Sequence, residues 1–350
     1  MGKPLLKAGL AFLPRYLQYR QFRTRPLWVT FDVTRNCPSR CLYCTSWGEN
    51  EKDLTTEQVT HIIDRLKAMG AVYLGLSGGE PLLRRDIVDV VGYATRRGFL
   101  VGINTSGMIQ SEKLFSELMD AGLNALAFSI DGARAETHER VRKRNPWRRV
   151  ITAIQLAVRI RQEKGSPIRI STSTVISREN VHELTEIAEL RRQLGADRNN
   201  FQPAWEQKPV AGFYDKYGFG PEDRALLEQT RDLLKTLPDG NIAEYYDLLP
   251  DFYADYAKVA QMECFAGRAF VYVDHEGTLY PCNQFMQPLG SLLTEAPEEF
   301  LERLEVKDTV RKAAAQQCPG CTFVCNMERN VLLGAVTHPV KLAKMVRARI

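Results

Sequence analysis

The sequence predicts an α/β fold built around a parallel sheet. From residue 28 onward, short apolar or β-branched runs alternate with segments of helical periodicity, which gives six consecutive strand–helix units. Units of this kind connect parallel strands through right-handed crossovers. Because such folds collect their reactive groups at the carboxyl ends of the strands, that rim is where we expect the functional residues.

The six predicted strands are short runs with few charged residues. Their length and composition are those of strands buried on both faces of a sheet, which is the burial we expect here. The predicted strands are Trp28–Val33, Val72–Leu76, Leu100–Asn104, Ala125–Ile130, Ile168–Ile176 and Asn199–Pro203.

The predicted helices fill the intervals between these strands. The first begins after Thr55, where Gln58 three residues later completes a capping box, and it ends at Gly70. Glycines also end the next two helices, since this residue readily adopts the left-handed conformation that terminates a helix. The later helices are Ile87–Arg97, Ser111–Ala121, Trp147–Lys164, Val181–Leu194 and Glu222–Leu237.

Composition limits the class of protein. The 350 residues are 44% hydrophobic, enough for one large domain and a smaller one. Eight cysteines without a signal peptide indicate a reducing cytoplasm in which thiols stay free to bind metal. No apolar run is long enough to span a bilayer.

The net charge of +5 is concentrated at the two ends of the chain. Residues 1–26 and 329–350 contain Lys and Arg but no acidic residue, so the body between them is acidic. This distribution does not suggest a nucleic-acid groove, which would run basic residues across the fold. Two interpretations of the basic ends remain open: terminal helices docked on the body, or interfacial anchors on an anionic membrane.

Three cysteines follow the first predicted strand with the spacing Cys-x3-Cys-x2-Cys: Cys37, Cys41 and Cys44. Soft thiolates this close together converge on one metal centre. A four-iron cluster normally takes four cysteines, so a local triplet leaves one iron without a protein ligand. The triplet therefore predicts a centre with an open position for a cofactor or substrate.

Polar residues follow the next three strands. The second strand leads into Ser77-Gly-Gly-Glu-Pro81, where two glycines permit close backbone approach and Glu80 can accept hydrogen bonds from an ammonium group. The third and fourth strands lead into Asn104–Gly107 and Ser129–Gly132. Because parallel strands end at one rim, these groups are expected near the cysteine triplet.

Together, these motifs resemble the radical S-adenosylmethionine (SAM) enzymes over residues 27–205. The resemblance implies a partial (β/α)6 TIM-like barrel in which the triplet holds a [4Fe–4S] cluster and SAM chelates the open iron. Such enzymes cleave SAM reductively and use the resulting 5′-deoxyadenosyl radical to abstract hydrogen from a substrate. The implied cofactor-binding residues are Tyr43, Gly78, Gly79, Glu80, Asn104, Ser106, Ser129 and Asp131.

A second cysteine-rich region lies near the carboxyl end. Cys264 and Cys282 frame a predicted hairpin with a turn at Asp274–Gly277, and Cys318-x2-Cys321-x3-Cys325 follows. The region resembles the small SPASM or twitch domain of radical SAM enzymes, which carries auxiliary iron–sulfur clusters.

This region has five cysteines where a full SPASM domain has seven. The resemblance therefore implies one auxiliary [4Fe–4S] cluster bound by four of the five. Cys264, Cys282, Cys318 and Cys321 match the twitch arrangement, whereas a SPASM-like arrangement uses Cys325 in place of one of the last two. Structural zinc is the alternative metal.

The predicted organisation has five parts, and two further features are left open. The aromatic-rich stretch near residues 204–260 is either ordinary packing or a substrate-contacting wall. His138, expected in the loop after the fourth strand, is the only histidine near the rim; the other four are interpreted as surface residues: His61, His182, His275 and His338. The parts are a basic amphipathic segment (1–26), the radical SAM barrel (27–235), an aromatic-rich connection (236–262), the SPASM/twitch-like domain (263–328) and a basic tail (329–350).

The predicted function is radical modification of a substrate that the sequence does not identify. A peptide, a small molecule and a lipid or lipid-linked substrate at the membrane surface all remain open, with net oxidation if the auxiliary cluster takes an electron. The expected partner is a flavodoxin- or ferredoxin-type electron donor, the expected location is the cytoplasm with peripheral membrane contact as an option, and no nucleic acid is expected. No catalytic acid or base is assigned.

The alternative from another class is a non-catalytic iron–sulfur or zinc scaffold. The triplet and Glu80 count against it, because a scaffold needs neither an open iron nor a ligand-binding glutamate.

Overall fold

The computed structural model describes residues 23–45, 47–48, 51–204, 217–317 and 320–336, together with Tyr19 and Gln21. Its centre is a nine-stranded sheet with the order β6-β5-β4-β3-β2-β1-β7-β8-β9, in which β1 to β6 are parallel. The predicted α/β class with six parallel strands is confirmed. The strands are β1 Trp28–Thr34, β2 Tyr73–Gly78, β3 Leu100–Thr105, β4 Ala125–Ser129, β5 Arg169–Ile176, β6 Arg198–Pro203, β7 Phe270–Val273, β8 Thr278–Tyr280 and β9 Gly290–Ser291.

Helices lie between successive strands as predicted. The capping box at the start of the first helix is present, since the Thr55 hydroxyl accepts from the Gln58 amide and the Gln58 side chain accepts from the Thr55 amide. The helices are α1 Thr56–Ala68, α2 Ile87–Arg96, α3 Glu112–Asp120, α4 Ala135–Arg142, α5 Trp147–Lys164, α6 Leu184–Gln193, α7 Arg224–Thr236, α8 Ala243–Tyr246, α9 Leu249–Ala254, α10 Tyr256–Val259, α11 Pro297–Phe300, α12 Leu304–Ala314 and α13 Val324–Val336.

The prediction that the strands are buried on both faces is confirmed along the middle of β2, β3 and β5, where consecutive residues are buried, and it is wrong for β1, β4 and β6. On β1, Val29 and Phe31 are fully buried, whereas Thr30 and Asp32 on the other face are half-buried. The same alternation occurs on β4 and β6. The described helices between the barrel strands pack on the outer face of the sheet. The inner face lines a lumen that six strands do not close. The lumen is therefore open and partly polar.

Helix α4 was not predicted from the sequence. Its residues, Ala-Glu-Thr-His-Glu-Arg-Val-Arg, include only two apolar ones, too few to form a recognisable apolar stripe. Nevertheless it carries Arg142 to the edge of the cysteine triplet, where the helix ends.

The carboxyl-terminal domain continues the barrel sheet. Strand β7 pairs in parallel with β1, and the predicted β7–β8 hairpin is present with its turn at Asp274–Gly277. The Asp274 carboxylate stabilises this turn by accepting from the backbone amides of Glu276 and Thr278. The two predicted domains therefore share one hydrogen-bonded sheet.

Helix α13 crosses the boundary predicted at residue 328 and packs across the open side of the barrel. Glu328 forms an ion pair of 3.2 Å with Arg198 at the start of β6. The next residue, Arg329, places its guanidinium 5.4 Å from the centre of the Trp28 ring on β1. One helix thus contacts both the first and the last of the six barrel strands, β1 and β6.

The aromatic-rich stretch packs as a core where it is described. Tyr245, Tyr246 and Phe252 are 2% exposed or less, and they form a cluster with residues of α7 and α13. Trp205, Phe213 and Tyr214 lie outside the described residues, as do most of both basic ends. Within the described part of the chain, no helix is long and apolar enough to cross a membrane.

Candidate functional site

The cysteine triplet occupies a loop that starts from the carboxyl end of β1. The end of α4 holds this loop, because the Leu42 amide donates to the Val141 carbonyl and the Arg40 amide donates to the Lys143 carbonyl, both at 3.0 Å. A tight turn within the loop joins the Cys44 amide to the Cys41 carbonyl at 3.1 Å. The loop conformation is therefore set by backbone contacts.

The environment of the triplet suits a positively charged metal centre. Burial raises the pKa of the Cys37 thiol to about 11 and that of the Cys41 thiol to about 12. Three thiolates at this place therefore need neighbouring metal charge, which iron would supply. Among the described His, Cys, Asp and Glu side chains, no three surround a point as ligands of a single ion do. Cysteine thiolates are the ligands that iron–sulfur clusters take, and three of them lie on this one short loop, so the donor set fits a cluster.

The glycine pair at the end of β2 packs directly against the triplet loop. A Cβ atom on Gly78, whose φ is +111°, would lie 2.2 Å from the Thr34 carbonyl oxygen. One on Gly79 would lie 2.4 Å from the Asn36 carbonyl oxygen. The Gly79 amide also donates to Thr34 at 2.8 Å. The two glycines thus allow the backbone of β2 to support the loop that carries the cysteines.

Glu80 is fully buried and ties the end of β2 to the end of β3. Its carboxylate accepts from the amides of Leu82 and Ser106 and from the hydroxyls of Thr105 and Ser106. Burial raises the pKa of Glu80, while these donors lower it. An ammonium donor would need one of the two hydroxyls to rotate away, since a carboxylate has about four acceptor positions. Thr105, which was not predicted as a site residue, donates a hydrogen bond to the Glu80 carboxylate. Among the described hydrogen bonds, Asn104 makes none to Glu80.

Asp131 forms a buried network beneath the triplet. Its Oδ2 accepts from the Tyr43 hydroxyl at 2.6 Å and from Nε of Arg142 at 2.7 Å, and its Oδ1 accepts from the Val175 amide at 2.8 Å. Arg142 also donates to Sγ of Cys41 at 3.6 Å. Burial alone would lower the pKa of Arg142, but the Asp131 carboxylate offsets this and the pKa is raised. Arg142 is therefore a permanent cation beside a cysteine of the triplet.

His138 was predicted to lie in the loop after the fourth strand, but it is part of a helix. It lies on α4, is fully buried, and its Nδ1 accepts from the Asp131 amide at 3.2 Å. Burial, with Arg142 nearby, lowers its pKa to about 3. A histidine held neutral in this way positions Asp131 and carries no charge at neutral pH.

A cavity of about 360 Å³ separates the triplet from the carboxyl-terminal domain. Of the predicted site residues that are described, Tyr43, Cys44 and Gly78 line it, whereas the others, including Asn104, Ser129 and Asp131, do not. The far wall comes from the carboxyl-terminal domain. The lining residues of that wall include Asn283, Gln284, Met286, Thr322 and Phe323.

The floor of this cavity contains an acidic group missed in the sequence. Asp32 on β1 accepts from the Tyr272 hydroxyl on β7 at 2.7 Å, and Asp274 accepts from the Tyr280 hydroxyl on β8 at 3.0 Å. The sequence signal was available, because aspartate is depleted in strands and Asp32 stands in the middle of one. His275, which was interpreted as a surface residue, lines the same cavity.

Three of the carboxyl-terminal cysteines converge. Cys264, Cys282 and Cys321 line a small cavity of about 20 Å³, and Cys325 is not among its lining residues. Sγ of Cys282 accepts from the amides of Gln284 and Phe285 at 3.4 and 3.3 Å, contacts that favour a metal-bound thiolate. Cys318 lies outside the described residues.

The fold and this arrangement of cysteines define a partial barrel of the radical SAM type, and comparisons with known proteins agree. A family described as "Radical SAM superfamily" matches residues 31–191. The "PqqA peptide cyclase" of Bradyrhizobium diazoefficiens is 30% identical over 268 residues, which cover 74% of this chain and 67% of that protein. The "AdoMet-dependent heme synthase" of Methanosarcina barkeri is 26% identical over 325 residues, covering 87% and 89%.

Solved structures give the same fold. Streptococcus suis SuiB bound to precursor peptide SuiA aligns with a TM-score of 0.67 at 14% identity, covering 89% of this chain and 75% of that one. Native anSMEcpe with bound AdoMet aligns with a TM-score of 0.62 at 14% identity, covering 92% and 100%.

The chain therefore belongs to the radical SAM superfamily, and its carboxyl-terminal domain is of the SPASM/twitch type. The cofactors of such proteins are a [4Fe–4S] cluster, SAM and auxiliary iron–sulfur clusters.

Proposed function

We propose that this protein is an enzyme that modifies a peptide by radical chemistry in the cavity between its two cysteine groups. The observation that carries the proposal is the cavity itself. Cys44 is on one wall, and the other wall includes Asn283, which directly follows Cys282 of the second group. A substrate held there is close both to the site where a radical is made and to a second site that can take an electron.

The proposed ligands of the first cluster are Cys37, Cys41 and Cys44. When bound, the reduced cluster and SAM supply a 5′-deoxyadenosyl radical that abstracts hydrogen from the substrate. The protein supplies orientation and electrostatics. Glycines 78 and 79 hold the triplet loop, Glu80 fixes the adjacent strand ends, and Arg142 places positive charge beside Cys41.

Peptide as the substrate class is supported by the relatives and by the shape of the site. One relative is named as a peptide cyclase, and a neighbour is bound to a precursor peptide. The cavity continues into a lumen with half-buried polar residues, which suits the amides of a peptide. A small molecule is the second candidate, favoured by the similarity to the heme synthase over 87% of this chain.

The test is anaerobic reconstitution with iron and sulfide, reduction, and measurement of 5′-deoxyadenosine by chromatography. We expect 5′-deoxyadenosine to form when reductant and SAM are both present, and its yield to rise when the true substrate is added. Candidate peptides and porphyrins can be supplied in parallel to separate the two substrate classes. If no 5′-deoxyadenosine forms above the sample without reductant, the proposed function is wrong.

For the auxiliary cluster we propose Cys264, Cys282, Cys318 and Cys321 as ligands. Cys264, Cys282 and Cys321 share the walls of one small cavity. Cys325 is not among its lining residues, and we propose it as the surplus cysteine. Cys321→Ala should therefore lower the iron content of the reconstituted protein by about four atoms per chain. Cys325→Ala should leave it unchanged. A loss of iron in Cys325→Ala equal to that in Cys321→Ala would instead favour the SPASM-like set.

A further inference from the structure

The floor of the large cavity carries two carboxylates, those of Asp32 and Asp274. The barrel fold does not require acidic residues at these positions. Asp32 points from β1 into the lumen and lines the cavity together with Tyr272, Asp274 and Arg35. The outer-facing residues of the same strand are apolar and buried. A carboxylate at this position costs desolvation free energy, so its presence indicates a role in binding.

The two carboxylates on this floor have different hydrogen-bonding environments. Asp274 accepts from two backbone amides and from the Tyr280 hydroxyl, so the turn and the hairpin occupy it. The Asp32 carboxylate accepts only from the Tyr272 hydroxyl within the described part of the chain. Asp32 therefore retains acceptor positions that face the cavity.

We propose that Asp32 is the substrate-anchoring residue of this cavity and that it takes a protonated amine of the substrate. This proposal depends on the proposed function in one respect: it assumes that the substrate occupies the cavity. An ammonium group is a strong complement, because a charge-assisted hydrogen bond to a carboxylate is about twice as strong as one between neutral groups. In a peptide, such a group is a lysine side chain or the amino terminus.

The charged and titratable neighbours of Asp32 determine how binding depends on pH. Burial raises the pKa of Asp32 to about 7, the Tyr272 hydroxyl lowers it, the Asp274 carboxylate raises it, and the Arg35 guanidinium lowers it. Strand β2, on the other side, contributes the neutral Ser77 opposite Asp32. An ammonium group favours the ionised carboxylate. Affinity for the amine should thus increase as the pH rises through 7, and binding at pH 7 should release protons.

The experiment is isothermal titration of the anaerobically reconstituted protein, with SAM bound, using small capped amino acids. The amine probe is N-acetyl-lysine amide, and the matched neutral probe is N-acetyl-norleucine amide. We expect the lysine probe to bind the wild type at least about tenfold more tightly at pH 8 than the norleucine probe. Titrations at pH 7 in two buffers of different ionisation enthalpy should show proton release.

Three variants separate the proposed role from a structural one. Asp32→Asn should bind both probes equally and without proton release. Tyr272→Phe removes a donor to Asp32, so it should keep the preference for lysine but move the pH midpoint of binding upward. Asp274→Asn removes a neighbouring negative charge and should move that midpoint downward. A general loss of structure would not move the pH midpoint of binding upward in Tyr272→Phe and downward in Asp274→Asn.

Two outcomes overturn the proposal: no saturable binding of the lysine probe to the wild type, or an undiminished preference for lysine in Asp32→Asn. The proposed function is tested separately, by 5′-deoxyadenosine formation. Selective amine binding to a protein that forms no 5′-deoxyadenosine would leave this inference standing and reject the proposed function.

Discussion

Replacement of Cys44 by alanine is expected to abolish 5′-deoxyadenosine formation. Cys44 belongs to the triplet and lines the large cavity, so it is the proposed cluster ligand nearest to the substrate. Losing a residue that merely supports a metal ligand costs about 10–100-fold in affinity or activity, and losing the ligand itself should cost more. We expect more than a ~100-fold loss of 5′-deoxyadenosine, together with about four fewer iron atoms per chain.

The matched control for this variant is Cys325→Ala, which removes a thiol that we place outside both clusters. Reconstitution, reduction and chromatography are performed on the two variants side by side. The control should keep both its iron and its 5′-deoxyadenosine. Wild-type levels of 5′-deoxyadenosine in Cys44→Ala would show that the triplet does not hold the reactive centre.

Replacement of Arg142 by methionine should lower the free energy of unfolding more than any other substitution proposed for this protein. The Arg142 side chain is 8% exposed and the Asp131 side chain is fully buried. Nε of Arg142 lies 2.7 Å from Oδ2 of Asp131. Removing the cation leaves a buried carboxylate whose remaining donors, among the described residues, are the Tyr43 hydroxyl and the Val175 amide. Breaking one side of a buried ion pair lowers the free energy of unfolding by about 3–5 kcal/mol. The thermal midpoint of the reconstituted protein should fall by several degrees, as measured by circular dichroism.

Two further variants identify the cause. Arg142→Lys keeps the positive charge and should recover part of the stability. The double variant Arg142→Met with Asp131→Asn removes the uncompensated carboxylate, so it should be more stable than Arg142→Met alone. If the double variant were instead the less stable, the loss would come from the packing of Arg142 on Tyr43 and not from the unpaired charge.

The barrel was predictable because its signals are local. Apolar runs mark the strands, while the Thr55 capping box and the glycines after the helices mark where α1 to α3 begin or end. The cysteine spacing and the strand-end residues also depend only on neighbours in the chain. For these features, the sequence and the structure agree to within a few residues.

The missed residues depend on contacts between distant parts of the chain. Arg142 ends a helix without an apolar stripe, and its importance arises from Asp131 and Cys41, 11 and 101 residues away. Tyr272 meets Asp32 across 240 residues, because β7 returns to pair with β1. The open lumen was missed for a related reason: whether a strand has one or two buried faces depends on what covers it.

The pairing of β1 with β7 also bears on electron transfer. Cys37 follows the β1 residue Phe31 by six positions, and Cys264 precedes the β7 residue Phe270 by six, so both cysteine groups are anchored to one hydrogen-bonded ladder. A hydrogen-bonded ladder of this kind holds the two proposed cluster sites at a fixed separation. The tunnelling distance between the proposed clusters should therefore be the same for every substrate. Substrates would be selected by whether their reactive carbon fits this fixed interval, and not by a domain that adjusts to them.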